Sequence, residues 1–121
     1  MAAGQSHTVY KGESKTLLLT ISDSDGVRLD ITGFTIEFQV KLKDGDADPP
    51  LISKSVGSGI TILTQSGGTL GQATVKIDSA DTTGLTAQKH RYDVIVIDLV
   101  GDRQVVVPPS NFWVKEVVNQ A

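Results

Sequence analysis

The chain has 121 residues, with 11 basic and 14 acidic side chains and a net charge of -3 spread along its length. That length allows one domain and excludes a second with its own core, and the charge balance leaves no basic footprint for wrapping nucleic acid. Without cysteine there is no disulfide framework, no thiolate zinc site and no thiol nucleophile.

The 14 Val, 9 Ile and 12 Thr make about 29% of the residues β-branched, which favours strands over helices. No apolar run approaches the ~18 residues needed to span a bilayer. The N-terminus Met-Ala-Ala-Gly-Gln-Ser-His has neither a basic start nor an apolar stretch, so no signal peptide is expected. The composition implies a soluble protein made in the cytoplasm, with no membrane partner and no nucleic-acid partner, whose residues 1 to 7 form a flexible segment.

Along the chain, short blocks of period two alternate with Gly, Pro, Asp, Ser and Asn. A strand at Thr8 to Tyr10 precedes one from Lys15 to Ser22, which ends at the turn Asp23-Ser24-Asp25-Gly26. The clearest block is Phe34 to Lys43, apolar at every even position and polar between, so one face is core and the other wet. Asp44 to Pro50 reads as a loop, because paired prolines cannot donate ladder bonds and aspartates favour turns. Leu51 to Val56 and Ile60 to Thr64 are strands around Gly57-Ser58-Gly59, and Gln72 to Ile77 is a third after a glycine-rich turn.

Ser79 to Leu85 is the one helical turn expected. Tyr92 to Val100 is the longest apolar run, followed by a hairpin at Gly101-Asp102 and a strand from Gln104 to Val107. Pro108-Pro109 is expected to break pairing before a terminal strand from Asn111 to Val118. About eight strands without a long helix predict an all-β, single-domain antiparallel β-sandwich of immunoglobulin-like type over residues 1 to 121, with a small closed barrel as the competing architecture. Tyr92 stands where a tyrosine corner falls in such sandwiches; a plain core tyrosine is the alternative.

Candidate chemistry is sparse. Asp44, Asp46 and Asp48 have the alternate spacing of a calcium loop, but Pro49 stands where a calcium-binding hand needs Gly and Ser55 where it needs Glu. A solvated acidic loop is the ordinary alternative, so no cofactor is expected beyond this weak calcium candidate. His7 and His90 lie in polar or terminal stretches and read as surface residues, leaving no member for a Ser-His-Asp arrangement. No phosphate loop, dinucleotide fingerprint, zinc-hydrolase helix or nucleophile elbow is present, and no catalytic residue is expected. The basic residues do not cluster in sequence beyond Lys89 to Arg91.

The informative excess is apolar. With Tyr92, Val94 and Val96 facing the core, Ile95, Ile97 and Leu99 fall on the face that should be wet, and Trp113, Val117 and Val118 add to it near the C-terminus. Such a strip is expected to be a protein interface.

The order of motifs resembles the immunoglobulin-like β-sandwich of phage and prophage tail proteins, notably the N-terminal domain of baseplate upper proteins. The resemblance is carried by Lys11-Gly12-Glu13-Ser14-Lys15-Thr16-Leu17, by Asp23-Ser24-Asp25-Gly26 with Leu29-Asp30-Ile31-Thr32-Gly33, and by Ile52-Ser53-Lys54 with Gly59-Ile60-Thr61-Ile62. It continues through Ser79-Ala80-Asp81-Thr82-Thr83-Gly84-Leu85 and Arg91-Tyr92-Asp93-Val94.

The resemblance implies a non-catalytic virion structural protein of the tail or baseplate, contacting other virion proteins and forming a homo-oligomer within the particle. Because no coiled coil or receptor-binding region follows before Ala121, it implies an adaptor or assembly subunit. Capsid decoration or a head-tail junction is the variant reading. A carbohydrate-binding module is the rival from another class, with Trp113 and Tyr10 as its candidate platform. An adhesion domain of a bacterial surface protein is a third.

Overall fold

A computed structural model describes residues 6–45 and 50–117. Eight strands are present: β1 (His7–Tyr10), β2 (Lys15–Thr20), β3 (Thr35–Lys41), β4 (Ile52–Val56), β5 (Gly59–Ile62), β6 (Gln72–Ile77), β7 (Lys89–Ile97) and β8 (Arg103–Lys115). The helical structure amounts to a 3-10 turn at Gly67–Thr69 and one α-turn, α1 (Ser79–Thr83). Among the described residues no helix is long and apolar enough to cross a membrane.

The strands form a single hydrogen-bonded sheet in the order β1-β8-β7-β3-β4-β5-β6-β2, nearly closed into a barrel. The expected all-β class and its strand number are therefore present, but the sheet is continuous where a sandwich would have two. Continuity comes from β4 and β5. They are consecutive in the chain yet run parallel, with Ser55 opposite Gly59 and Val56 opposite Ile60. One tight coil at residues 57 to 59 thus shifts the chain sideways, so that it leaves β3 as a partner and takes up β6. Gly57 and Gly59 have φ of 85° and 98°, a region that penalises any side chain, and together they make the coil possible.

At the open seam the two terminal strands of the sheet, β1 and β2, are joined directly by a short turn. The Lys15 ammonium donates across it to the Thr8 carbonyl at 2.9 Å, and the Gly12 N–H donates to the buried Thr82 hydroxyl of α1 at 3.0 Å.

The core follows from period two. Leu17 and Leu19 of β2, Ile36, Phe38 and Val40 of β3, and Ala73, Val75 and Ile77 of β6 all point inward and are buried. In the core the Tyr92 ring packs 5.5 Å from Phe38, 6.1 Å from Phe112 and 5.5 Å from the His7 ring. Such tilted aromatic contacts each contribute about 0.5–1.5 kcal/mol beyond the area they bury. Burial pushes the Tyr92 hydroxyl up to about 12.

Two expectations about the last third are corrected. The apolar run after Tyr92 ends as strand at Ile97, because Asp98 to Asp102 form the turn, with the Asp98 carboxylate accepting from the Val100 and Asp102 N–H groups at 3.0 Å each. And Pro108-Pro109 does not end a strand. Tyr92 stands opposite Ser110 and Val94 opposite Val107, so the prolines occupy a β-bulge, where a missing N–H leaves no ladder bond unmade. A second register shift lies between Val94 opposite Val107 and Ile95 opposite Val105. The extra residue lets Val106 and Val107 both be buried.

Candidate functional site

The residues expected to form one apolar strip are divided by the fold between two ends of the outer face of β7 and β8. At the turn end stand Ile95, Ile97, Leu99 and Val100 with Val105, which lies opposite Ile95. Leu99 and Val100 are 73% and 82% exposed, the highest values among the large apolar side chains described. The Leu99 side chain lies over Gly33, where an added Cβ would come within 3.1 Å of it. Ile95 is only 7% exposed, flanked in register by Glu37 and Val105, so it supports the patch from below.

Trp113 belongs to the other end. It stands opposite Lys89 on β7, six residues and about 20 Å before Ile95 at the ~3.3 Å rise of a strand. On its other side it faces Thr8 of β1, and Tyr10 is the next outward residue along that strand. Trp113 and Tyr10 are 38% and 44% exposed. Val117 is half-buried beyond the end of β8, and Val118 lies outside the described residues.

Between the two ends runs a charged belt. The register places Lys41 of β3 opposite Arg91 of β7, and Lys43, Asp44 and Asp93 line the same cleft of about 120 Å³. A broader hollow of about 510 Å³ continues past Arg91 to Leu42, Gln88 and Lys89, toward the Trp113 end. Basic residues that are scattered in sequence are thus gathered by strand pairing, contrary to the expectation from their spacing.

Arg91 organises the belt. Its guanidinium donates to both Asp44 carboxylate oxygens at 2.8 and 3.3 Å, to the Asn111 side-chain oxygen at 2.6 Å and to the Pro109 carbonyl at 3.1 Å. It ties the segment after β3 to the bulge in β8. These hydrogen bonds hold the Asp44 carboxyl below its ordinary range and raise the Arg91 guanidinium further. Asp93 moves the other way: burial pushes its carboxyl up, against the opposing pull of Arg103 and Lys41.

Of the three aspartates read as a calcium candidate, Asp44 is therefore engaged by Arg91, while Asp46 and Asp48 lie outside the described residues. Among the described residues no group of three or more His, Asp or Glu side chains converges on a common point.

Both histidines depart from the surface reading. His90 is 2% exposed, with Nε2 3.0 Å from the Thr86 carbonyl and Nδ1 buried without a partner. It shares the inward parity of Tyr92, Val94 and Val96, and that parity outweighs its polar neighbours. His7 is the first residue of β1, half-buried against Tyr92; burial and the nearby Lys15 ammonium lower its basicity.

No family model matches the chain, and no curated protein matches it.

Proposed function

We propose that this chain is a non-catalytic assembly subunit of a phage or prophage virion, an adaptor of the tail or baseplate that docks on a neighbouring virion protein through the Asp98–Asp102 turn end. The sequence resemblance suggests the class, and one structural observation supports the docking mode. Leu99 and Val100 project from a turn whose backbone is fixed by the Asp98 carboxylate, with Ile97 and Val105 behind them. An apolar tip held on a rigid hairpin offers little to folding and much to a partner. Repeated copies in a symmetric homo-oligomer multiply such contacts, so each need be only weak.

The test is immunogold electron microscopy of particles induced from the source strain, with antibody raised against this chain. Label at the tail tip or baseplate supports the adaptor role, and label over the head moves the assignment to capsid decoration. Particles without label anywhere overturn the virion reading. The double variant Leu99→Ser, Val100→Ser is expected to keep its melting temperature and to lose incorporation.

A further inference from the structure

The Trp113 end carries a second, different surface. Thr8 and Tyr10 on β1 and Trp113 and Lys115 on β8 all face outward, with Thr8 opposite Trp113 and Tyr10 opposite Lys115. Trp113 and Tyr10 are therefore diagonal neighbours, their Cα atoms about 8 Å apart given strands 4.8 Å apart and a 3.3 Å rise. The Tyr10 backbone is held by the turn after β1, its N–H donating to the Glu13 carboxylate at 3.2 Å and its carbonyl accepting the Glu13 N–H at 2.9 Å, and neighbouring backbone is pinned as well. The Lys11 N–H donates to the Lys115 carbonyl at 2.9 Å and the Val114 N–H to the Gln88 carbonyl at 3.0 Å. The two rings thus sit on a fixed base.

What surrounds them is polar. Trp113 is flanked in register by Thr8 and Lys89, and the hollow of about 510 Å³ beside Lys89 is lined by Gln88, Asp44 and Arg91. A protein partner of ordinary size needs roughly 800 Å² on each side with an apolar centre, and two isolated aromatics ringed by charge do not supply one. The arrangement matches instead a ligand with apolar C–H faces and a hydroxyl rim. Aromatic faces take the C–H side, while amide, ammonium and carboxylate groups take the hydroxyls.

We infer that Tyr10 and Trp113 form a stacking platform for an oligosaccharide, which extends over Lys89 into the hollow beside Arg91. The platform lies at the opposite end of β7 and β8 from the Leu99 patch, so it stands or falls independently of the docking role. One subunit would then carry an attachment end and a glycan-recognising end.

Trp113 is the single tryptophan of the chain, so emission excited selectively at tryptophan, and not at the core Tyr92, reports this site alone. The experiment titrates the full chain with cellohexaose, chitohexaose and an oligogalacturonate, recording emission wavelength and intensity. The expected result is a saturable change with at least one of the three, weakened tenfold or more by Tyr10→Ala and unaffected by the Leu99→Ser, Val100→Ser variant. Tyr10 is 44% exposed, and the Tyr10→Ala melting temperature is recorded alongside to verify that the fold is kept. No change with any of the three sugars, or a change that Tyr10→Ala leaves intact, overturns the proposal.

Discussion

The Lys54 ammonium lies 2.7 Å from the Asp81 carboxylate, with the lysine side chain only 11% exposed. The pair ties β4 to α1, and the same Asp81 carboxylate accepts the Asp78 N–H at 2.7 Å at the start of the turn. To reach Asp81, the lysine stem crosses Gly59, where a Cβ would stand 2.5 Å from its Cδ.

Gly59→Ala is therefore expected to cost about 1–2 kcal/mol from its positive φ alone, and more from the displaced lysine. Lys54→Met keeps the stem and loses the ion pair, for a smaller loss of about 1 kcal/mol. Urea denaturation of both variants measures the difference. A neutral Gly59→Ala would mean that the coil between β4 and β5 relaxes freely and does not hold the sheet together.

Asp93 gives a pH dependence of defined sign. Its carboxyl is raised by burial, so the folded state favours the protonated form. The stabilisation is present below the unfolded carboxylate range and is lost as pH rises through the folded value. Asp93→Asn, which removes the charge and keeps the shape, is expected to raise the melting temperature at pH 7 and to match the parent in acid. A lower melting temperature at pH 7 would show that the attraction of Arg103 and Lys41 outweighs desolvation.

His7 acts in the opposite direction on the pH axis. Burial first and Lys15 second lower its basicity, so the folded state favours the neutral ring. As pH falls below the ordinary histidine value of 6.5 the unfolded chain takes up the proton first, and stability declines until the folded value is passed. Replacing His7 by Gln is expected to flatten the stability profile between pH 7 and 5. Melting curves across that range, parent against variant, decide it; parallel profiles would remove His7 as the cause.

β3 and β6, whose period two is uninterrupted, and β2, with its run of three leucines, were legible in the sequence, as was the helical turn at Ser79–Thr83. The single continuous sheet was not, because it depends on two glycines whose positive φ coils the chain between β4 and β5. Nor was β8, since a proline pair signals a break unless it falls in a β-bulge, and where a bulge falls is a matter of register between two strands.

The same reason hid both clusters on the outer face. Lys41 beside Arg91 and Tyr10 diagonal to Trp113 are matters of register between segments far apart in the chain. His90 was legible in principle from its parity with Tyr92 and Val94, but its neighbours Lys89 and Arg91 obscured it.

The parallel pairing of β1 with β8 has a mechanical consequence. His7 lies opposite Phe112 and Tyr10 opposite Lys115, so the chain enters β1 at one end of the ladder and leaves β8 at the other. Tension applied between the two sides of the sequence would load those backbone hydrogen bonds in shear, all together, instead of peeling them one by one. The prediction is a higher rupture force along this axis than for pulling between β7 and β8 across their shared turn, where bonds open in succession. Single-molecule stretching from the two attachment geometries measures it, and equal forces would show that β1 detaches before it bears load. Pulled from His7 and Lys115, the sheet thus meets force along its more resistant direction.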